Sequence, residues 1–349
     1  MTRRPDRKRP TIEDVARRAG LSRATVSRAI NGSPQVSAAA TERVRQAVSE
    51  LGYVPNQAAR SLVTRRNDTV AVVVTEPQTR LFVDPFFDLH LRGIRRELVQ
   101  QGAGLVLLLI EEPDDYARVG NFLGGSHVDG ALLFSLRADD PLPKMVARMG
   151  LPAVFGGRPF LGAGEAGDGY AYVDADNRGG AREAVRHLVS RGRTRIATIT
   201  GPLNQAAAVD RLDGYRDVLL DRSTHQLIAE GDFTLEGGAT AMSALLEQCP
   251  DLDAVFVASD LMAHGALRVL RQNGRRVPDD VAVVGFDDLA SLAEATDPPL
   301  TTVRQDIEGM GRLMARLLFQ RNAEPSGDRA VRPLSSVIVP TSLVLRESA

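Results

Sequence analysis

The sequence predicts a small all-α unit of the helix-turn-helix type, followed by an α/β core of two doubly wound parallel-sheet subdomains. Three features of the 349 residues indicate this arrangement. Apolar residues recur at helical spacing between capping residues over residues 11–54. From residue 68 onward, β-branched runs alternate with amphipathic helical stretches, as in parallel sheets covered on both faces. Residues 1–66 carry 14 Lys and Arg against 5 Asp and Glu, whereas the remainder carries 29 against 39.

Short helices joined by a tight turn begin the all-α unit. Thr11 is a good N-cap residue, and Asp14 follows where an acid can accept from the exposed first-turn amides. Gly20 provides the left-handed residue that commonly ends a helix. Ser22 then caps a second short helix, and Ser37 caps a third that backs the first two. Two short helices separated by a glycine turn are typical of a helix-turn-helix.

The start of the second helix is where such a unit meets base edges in the major groove of DNA. Here that position reads S-R-A-T over residues 22–25, and Arg28 follows one turn later. Arg23 and Arg28 can each bind a guanine through its O6 and N7 atoms. The alternative is a plain three-helix bundle with a solvated basic face.

The segments that follow favour the DNA-binding alternative. Three motifs stand in order: T-V-S-R at 25–28, V-S-x-x-x-x-E-x-V at 36–44 and G-Y-x-P-N-x-x-A-R-S-L at 52–62. Together they resemble the DNA-binding headpiece and hinge of the lactose/galactose repressor family of bacterial transcription regulators. The resemblance implies that the following residues contact operator DNA: Thr11, Ser22, Arg23, Ala24, Thr25, Ser27, Arg28, Asn31, Ser37, Asn56, Ala59 and Leu62.

Residues 55–67 are predicted to form a hinge helix and linker between a headpiece at 11–54 and the core. A helix over 56–62 is shorter than the roughly 12–15 residues that are stable alone in water, so we expect it to fold only when it is buried. In the family, two hinge helices pair in the minor groove and a leucine wedges between base pairs, a position that Leu62 matches. The alternative role for Leu62 is that of an ordinary core leucine.

Composition bears on the compartment and on the class of protein. Residues 1–10 are expected to be a disordered basic arm, because no apolar segment follows their arginines as it would in a signal peptide. The single cysteine, Cys249, permits no internal disulfide. No apolar run approaches the roughly 18 residues of a membrane span. We therefore expect a cytoplasmic protein that makes no contact with a membrane.

The resemblance continues through the core and covers essentially the whole chain after residue 10. It implies a core like that of periplasmic sugar-binding proteins, with two subdomains joined by three crossovers. The motifs that carry it include D-P-F-F at 84–87, R-L-D-G-Y at 211–215, V-V-G-F-D-D at 283–288 and P-L-T-T-V at 299–303.

We place the three crossovers near Asp174, Arg304 and Ser336. The core at 68–349 then divides into two parts that each contain one parallel sheet. The predicted N-subdomain covers about 68–174 and 305–335, and the predicted C-subdomain covers about 175–303 and 336–349.

The cleft between two such sheets is the expected ligand site, because ligands bind at the carboxyl ends of parallel strands. Arg211, expected at a helix start, and Asp287, expected at a strand end, can hold vicinal hydroxyls by charge-assisted hydrogen bonds. The resemblance implies that both contact the effector, and it adds Phe87, Phe233 and Asp176. Each also has a structural alternative: an arginine at a helix start can pair with a nearby acid, and Phe87 can belong to the core.

No catalytic group, metal site or cofactor is predicted. The run from Gly162 to Gly167 satisfies G-x-G-x-x-G, but strand-like residues rather than a helix follow it, so we predict a surface loop. The five histidines lack ligand spacing. Ser259 and Asp260 do not assemble a nucleophile with a base. We therefore expect a protein that is not an enzyme.

The expected protein is a homodimeric, sequence-specific transcriptional repressor of a pseudo-palindromic operator, controlled by a small molecule. Q-A-A-A at 205–208 departs from the polar contacts of the family's purine-binding member, which favours a neutral sugar. The alternatives are a non-sugar metabolite, a corepressor-dependent regulator, and a ligand-binding transport protein, against which the headpiece counts. No heptad tail follows residues 342–349, so a dimer rather than a coiled-coil tetramer is expected.

Overall fold

The computed structural model describes residues 10–30, 32–54, 66–159, 170–219, 227–323 and 336–349. The chain divides into two compact units, Met1–Asn67 and Asp68–Ala349. Several positions singled out in the sequence lie outside the described residues. They are residues 1–9 of the arm, Asn31, the hinge positions Asn56, Ala59 and Leu62, and the glycine run at 162–167.

Three helices form the described part of the first unit: α1 (Ile12–Ala19), α2 (Arg23–Ile30) and α3 (Ala38–Leu51). A hydroxyl caps each of them, as the sequence predicts. Thr11 Oγ1, Ser22 Oγ and Ser37 Oγ accept from the backbone amide three residues later, at 3.3, 3.1 and 3.3 Å. Such caps satisfy amides that the helix itself leaves unpaired.

A small apolar core joins these helices. Val15, Val26 and Val44, one from each helix, are all at most 3% exposed. Gly20 ends α1 in the left-handed conformation, at φ 63°, which a residue without a Cβ adopts at no steric cost. The first two helices thereby turn tightly and pack on α3, which is the predicted helix-turn-helix arrangement.

In the described part of the second unit, strands and helices alternate. The strands are β1 (Thr69–Val74), β2 (Gly104–Leu109), β3 (Gly130–Phe134), β4 (Ala153–Gly156), β5 (Ala171–Ala175), β6 (Ile196–Thr200), β7 (Leu227–Glu230), β8 (Ala254–Val257), β9 (Ala282–Asp287), β10 (Thr301–Arg304), β11 (Ser336–Val339) and β12 (Ser342–Val344). The helices are α4 (Gln78–Leu81), α5 (Pro85–Gln100), α6 (Pro113–Gly124), α7 (Leu142–Met149), α8 (Asn177–Ser190), α9 (Ala206–Leu219), α10 (Leu235–Gln248), α11 (Asp260–Gln272), α12 (Ala290–Ala293) and α13 (Ile307–Ala323).

Two sheets organise this unit, one for each subdomain. The N-subdomain sheet has the strand order β11-β5-β4-β3-β1-β2, and all of its pairs are parallel. The C-subdomain sheet has the order β12-β10-β9-β8-β6-β7, with only the β10–β12 pair antiparallel. Helices cover both faces, so the central strands are buried apolar runs, which is the doubly wound α/β arrangement that the sequence predicts.

The last crossover between the subdomains differs from the prediction. Strand β11 pairs with β5 in the N-subdomain, whereas β12 pairs with β10 in the C-subdomain. The chain therefore crosses at Pro340 and Thr341, and the boundary near Ser336 was wrong by about one strand. A short apolar strand does not show in its sequence which sheet it joins, because the partner strand is distant along the chain.

In the described part of the core, three pairs of the helices that cover the sheets are in backbone contact at glycine residues. An added Cβ at Gly93 of α5 or Gly214 of α9 would overlap a backbone carbonyl oxygen of the facing helix. The contact between α10 and α11 is reciprocal, because a Cβ at Gly238 would meet Met262 O and one at Gly265 would meet Leu235 O. These helices approach to backbone contact because neither side has a side chain in the way.

Gly265→Ala is therefore expected to destabilise the core although alanine is the better helix former. Forcing a methyl group into a filled contact typically costs about 1–3 kcal/mol, which exceeds the roughly 0.5–1 kcal/mol gained in helix propensity. Gly124→Ala in α6 is the matched control, because the nearest atom to its added Cβ is Met149 Sδ at 3.8 Å. Urea unfolding of both variants checks this: a Gly265→Ala midpoint equal to or above that of Gly124→Ala would contradict the packing argument.

Candidate functional site

A cavity of about 680 Å³, counting its opening to solvent, lies between the two subdomains of the core. Residues at the carboxyl ends of strands from both sheets line it. Ser135 follows β3, Asp174 lies near the end of β5, Ser259 follows β8 and Asp287 ends β9. This is the position at which parallel α/β sheets bind ligands. The expected cleft is therefore present within the core.

Arg211 reaches this cavity from α9, with 5% of the residue exposed. Its Nε donates to Asn177 Oδ1 at 2.9 Å, and Nη1 donates to the Ala258 carbonyl oxygen at 2.5 Å. Nη1 also lies 3.5 Å from Asp287 Oδ1. The guanidinium carbon stands 3.7 Å from the centroid of the Phe286 ring, a close cation–π contact. These contacts hold the guanidinium in one orientation.

The position of Arg211 along its helix was predicted incorrectly. Helix α9 begins at Ala206, so Arg211 lies in the second turn rather than at the helix start. Ala206, Ala207 and Ala208 extend the helix toward its N-terminus, because alanine is the strongest helix former. Arg211 is buried and does pair with a nearby acid, Asp287, as its structural alternative proposes, while it also lines the cavity.

Asp287 lies opposite Arg211, at the end of β9, where the backbone is strained. Its φ is 118° and that of Asp288 is 55°, conformations that side chains with a Cβ rarely adopt. Gln305 Nε2 donates to Asp287 Oδ1 at 2.6 Å, and Arg304 and Arg346 hold the Asp288 carboxylate at 2.5 and 2.7 Å. Strain of this kind persists where neighbouring contacts enforce it, as they do here, and it concentrates at functional sites.

Burial governs the charge state of this pair. It raises the pKa of Asp287 to about 7, and Arg211 opposes this by favouring the carboxylate, while Asp84 adds to the rise. Burial likewise lowers the pKa of Arg211, against the favourable effect of Asp287. Burial thus disfavours the charged form of each group and its partner favours it, and both have hydrogen-bonding capacity beyond that used within the protein.

Aromatic side chains of the N-subdomain form another wall of the cavity. Phe86 and His90 lie one turn apart on α5 with ring centroids 4.5 Å apart, and His90 meets Phe134 at 5.0 Å. Burial lowers the pKa of His90 to about 4, so its ring is neutral near pH 7. Its Nδ1 lies 3.2 Å from the Phe86 carbonyl oxygen, which can only accept, so Nδ1 carries the proton. This wall is apolar and uncharged.

Of the five predicted effector residues, Arg211, Asp287 and Phe233 line the cavity, and Phe87 and Asp176 do not. Phe87 is 2% exposed and belongs to the N-subdomain core, whereas its neighbour Phe86 faces the cavity. Asp176 caps α8 by accepting from Gly179 N at 2.9 Å. Phe87 therefore takes its alternative role in the core, and Asp176 is a capping residue.

Several lining residues were missed at the sequence level. Asp174 and Asn177 line the cavity on either side of Asp176, and Asn177 Nδ2 donates to Asp174 Oδ1 at 2.9 Å. Gln205 and Gln305 also reach the cavity. The sequence could have indicated Asp174 and Gln305 as lining residues, because each is a polar residue at or just after the end of a buried strand.

On the headpiece, the residues predicted to meet DNA form the exposed side of α2 and its start. Ser22, Arg23, Ala24 and Arg28 are exposed, whereas Thr25 and Ser27 are half-buried. Ser22 Oγ and Thr25 Oγ1 are hydrogen-bonded at 2.8 Å. Arg23 Nε lies 3.1 Å from Glu13 Oε1, with 73% of the arginine side chain exposed. Thr11 and Ser37, exposed as well, are the N-caps of α1 and α3.

The described residues contain no cluster of three or more side chains with the composition of a metal site. Within the same ranges, no helix combines the length and the apolar character needed to cross a bilayer.

Comparison with known proteins covers both units. The sequence matches the family model of bacterial regulatory proteins, lacI family, over residues 11–56, and that of a periplasmic binding protein-like domain over residues 185–349. The HTH-type transcriptional regulator CelR of Thermobifida fusca is 50% identical over 345 residues, which is 98% of this chain and 99% of that protein.

Solved structures agree over the same span. A transcriptional regulator CelR–cellobiose complex matches with a TM-score of 0.76 at 48% identity, covering 98% of this chain and 100% of that one. The lac repressor dimer bound to operator and the anti-inducer ONPF matches with a TM-score of 0.83 at 28% identity, covering 98% and 99%. With a helix-turn-helix headpiece, a two-sheet core and a relative half identical over its full length, this chain belongs to the lacI family of bacterial regulatory proteins, as a DNA-binding transcriptional regulator.

Proposed function

We propose that this protein is a homodimeric repressor that binds a pseudo-palindromic operator and releases it when a β-linked glucose disaccharide, such as cellobiose, occupies the core cavity. The observation that carries the proposal is the buried Arg211–Asp287 pair in that cavity. The CelR–cellobiose complex, 48% identical over nearly the whole chain, indicates the class of ligand. Two identical headpieces related by a two-fold axis call for an operator with the same symmetry.

The charges around the cavity favour a neutral, hydroxyl-rich ligand. Arg80 and Arg211 contribute two cationic groups, and Asp84, Asp174 and Asp287 contribute three carboxyl groups. Burial raises the pKa of each of these carboxyls, so negative charge is already unfavourable there. An anionic effector would add to this disfavoured charge. Sugar hydroxyls, in contrast, donate to carboxylates and accept from guanidinium groups without adding charge.

The apolar wall suits the other surface of a sugar. Phe86, Phe134 and Phe233 line the cavity together with Met310. Aromatic faces carry partial negative charge and attract the C–H groups on the flat face of a pyranose ring. A cavity with polar groups on one side and aromatic rings on the other can therefore orient a sugar as well as bind it.

Contacts across the cleft link ligand binding to the angle between the subdomains. Arg158 of the N-subdomain donates twice to Asp210 of the C-subdomain, at 2.8 and 2.9 Å. Ala138 N donates to the Asn204 carbonyl oxygen at 2.7 Å. A ligand that strengthens one subdomain arrangement over another shifts the population between them. If the headpieces bind DNA best in the other arrangement, effector and operator must weaken each other by the same factor.

We propose that the cavity binds its ligand without chemical conversion. Ser259 Oγ accepts from Met262 N at 3.3 Å as the N-cap of α11. The Asp260 carboxylate is engaged by the Thr302 hydroxyl and by Leu289 N, at 2.5 and 2.8 Å. The most nucleophile-like pair in the sequence is thus occupied by structural hydrogen bonds. A regulator that returns its effector unchanged fits this arrangement.

The test uses the full-length protein and a duplex that it selects from a random pool. Fluorescence anisotropy follows the release of that duplex while cellobiose, lactose, ribose or guanine is added. We expect cellobiose to release the duplex and to bind with a measurable heat in calorimetry. Release by guanine or ribose but not by a disaccharide would overturn the proposed effector class, and tighter DNA binding with cellobiose would make the effector a corepressor.

Effector binding is expected to weaken as the pH falls through 7. The Asp287 carboxylate, with a pKa near 7, loses an acceptor site when it is protonated. If only the ionised form binds, its fraction falls about tenfold between pH 8 and pH 6, and the affinity falls with it. Calorimetric titrations with cellobiose at both pH values check this, with Asp287→Asn as the control. A pH dependence that persists in that variant would exclude Asp287 as its source.

The raised pKa of Asp287 affects the stability of the fold in the opposite direction to its effect on effector binding. An acid whose pKa lies above its ordinary value of about 3.9 binds more protons in the folded state than in the unfolded state between those two values. The contribution of Asp287 to the free energy of unfolding therefore declines as pH rises from about 4 to 7. Over this range the contribution to stability falls while the effector affinity rises. A loss of effector binding at low pH is therefore distinct from a loss of folded protein.

A further inference from the structure

A second buried charged cluster contacts the same cavity from the segment after β1. Arg80, on the short helix α4, donates from Nη1 to Glu76 Oε1 at 2.5 Å. Their side chains are 11% and 2% exposed. Gln205, at the start of α9 in the other subdomain, donates from Nε2 to the same Glu76 oxygen at 3.2 Å. This cluster, Glu76–Arg80–Gln205, therefore spans the cleft without involving Arg211 or Asp287.

Arg80 is also held between aromatic rings. Its guanidinium carbon lies 5.6 Å from the ring centroid of Phe87 and 5.0 Å from that of Phe233. Phe87 belongs to the N-subdomain core, and Phe233 lines the cavity from the C-subdomain. The guanidinium plane is thus fixed by packing, which lowers the entropic cost of using it for recognition.

The Nε of Arg80 is buried and has no hydrogen-bond acceptor within reach among the described residues. The carboxylate oxygen Asp84 Oδ2 lies 4.0 Å from this Nε. A buried charged donor without an acceptor is unfavourable, and native proteins rarely leave one unexplained. Arg80 lines the ligand cavity with 11% of its side chain exposed, so its guanidinium group is placed to donate to a ligand there.

The two charged clusters lie at different positions along the cavity. Gln205 and Arg211 are six residues apart along α9, which corresponds to about 9 Å at 1.5 Å per residue. Both line the cavity. If the side-chain groups keep a separation close to that of their backbone positions, a ligand that contacts the Arg211–Asp287 pair and the Glu76–Arg80–Gln205 cluster together extends over this spacing. Two linked pyranose rings suit that length better than one ring.

From these observations we propose that Arg80 is a specificity-determining residue, which binds the sugar ring remote from Arg211 and so selects a disaccharide over a monosaccharide. The inference rests on the proposed sugar effector and adds to it the residue that distinguishes a disaccharide from a monosaccharide. Glu76 and Gln205 act as positioning residues, because they orient the guanidinium and present one shared acceptor oxygen. Losing one charge-assisted hydrogen bond typically weakens binding about tenfold or more.

The experiment compares cellobiose with the one-ring analogue methyl β-D-glucoside by calorimetry, using the full-length protein. The variant is Arg80→Met, which keeps an unbranched side chain between Phe87 and Phe233. The control is Arg137→Met, because Arg137 Nη2 lies 3.6 Å from Glu76 Oε2 with 49% of its side chain exposed, outside the cavity lining. Melting temperatures without ligand show whether each variant is folded.

We expect Arg80→Met to weaken cellobiose at least tenfold and methyl β-D-glucoside less than twofold, with Arg137→Met unchanged for both. Equal losses for the two sugars would make Arg80 a structural residue and overturn the proposal, as would unchanged cellobiose binding. The wild-type titrations report on the function separately. If the wild-type protein binds neither sugar, the proposed effector and this inference are both wrong. If it binds the two sugars with equal affinity, only this inference is wrong.

Discussion

Arg211→Ala should abolish the response of the protein to its effector while leaving operator affinity close to that of the wild type. The substitution removes a guanidinium that contacts Asn177, Ala258 and Asp287. Each charge-assisted hydrogen bond contributes about 1.5–3 kcal/mol, and the Asp287 carboxyl is left buried without its cation. If the effector accepts two such hydrogen bonds from the guanidinium, losing both weakens effector binding at least a hundredfold, because 1.4 kcal/mol is a factor of ten.

The substitution also has a cost in stability that must be measured beside it. Breaking a buried ion pair by removing one partner typically destabilises a protein by about 3–5 kcal/mol. Arg216→Ala is the matched control, since Arg216 lies on the same helix with 41% of its side chain exposed and an ion pair to Asp213 at 3.8 Å. Asp287→Asn, which keeps the shape of the side chain, provides the second arm.

Calorimetry with cellobiose, anisotropy with the selected duplex and thermal unfolding together decide the role of Arg211. A folded Arg211→Ala protein that binds cellobiose like the wild type would refute the assignment of the cavity. An Arg211→Ala protein that loses DNA binding while its ligand affinity is unaltered would identify a structural residue, and the Asp287→Asn arm would show whether the pair or only the arginine matters.

Arg23→Ala is the second change expected to have a large effect, here on operator recognition. Arg23 stands exposed at the start of α2, and its ion pair with Glu13 is worth at most about 1 kcal/mol because both side chains are solvated. The side chain is therefore free to exchange Glu13 for a base. A bidentate contact to guanine contributes about 1–3 kcal/mol, and a symmetric dimer loses it in both half-sites.

The expected result is a loss of about 2–6 kcal/mol for the selected duplex, confined to one base position in each half-site. Binding of the variant to duplexes substituted at every position measures this. Arg45→Ala is the control, because Arg45 lies on α3 and pairs with Glu42 at 2.6 Å. Uniform weakening on all duplexes, including unrelated sequences, would show that Arg23 contacts phosphate and carries no base preference.

Much of the fold could be predicted because it depends on local rules. The caps at Thr11, Ser22 and Ser37 and the left-handed Gly20 are fixed by interactions within four residues of the chain. Alternating buried strands and amphipathic helices allow few arrangements other than covered parallel sheets. The sequence alone does not mark β7 and β10, because a four-residue strand that ends in a charged residue carries too little periodicity to be told from a turn.

In the candidate site, a residue predicted from its place in a motif can differ by one position from the residue that lines the cavity. Phe86 rather than Phe87 faces the cavity, and Asn177 rather than Asp176 does so. One step along a helix rotates a side chain by about 100°, and one step along a strand turns it to the other face. A motif correct to within one residue can therefore name the wrong side chain. Arg211 and Asp287 both line the cavity, and their contact with the effector stays a prediction.

The two kinds of unit, the order of most elements and the family could be read from the sequence, because each follows from local spacing or from a contiguous motif. The partner of β11, the burial of Phe87 and the contact between Glu76 and Gln205 appear only in the folded structure. These depend on residues far apart in the chain: the last pair is separated by 129 positions. Such contacts form when packing brings two sheets together, and no local pattern in either segment encodes its partner.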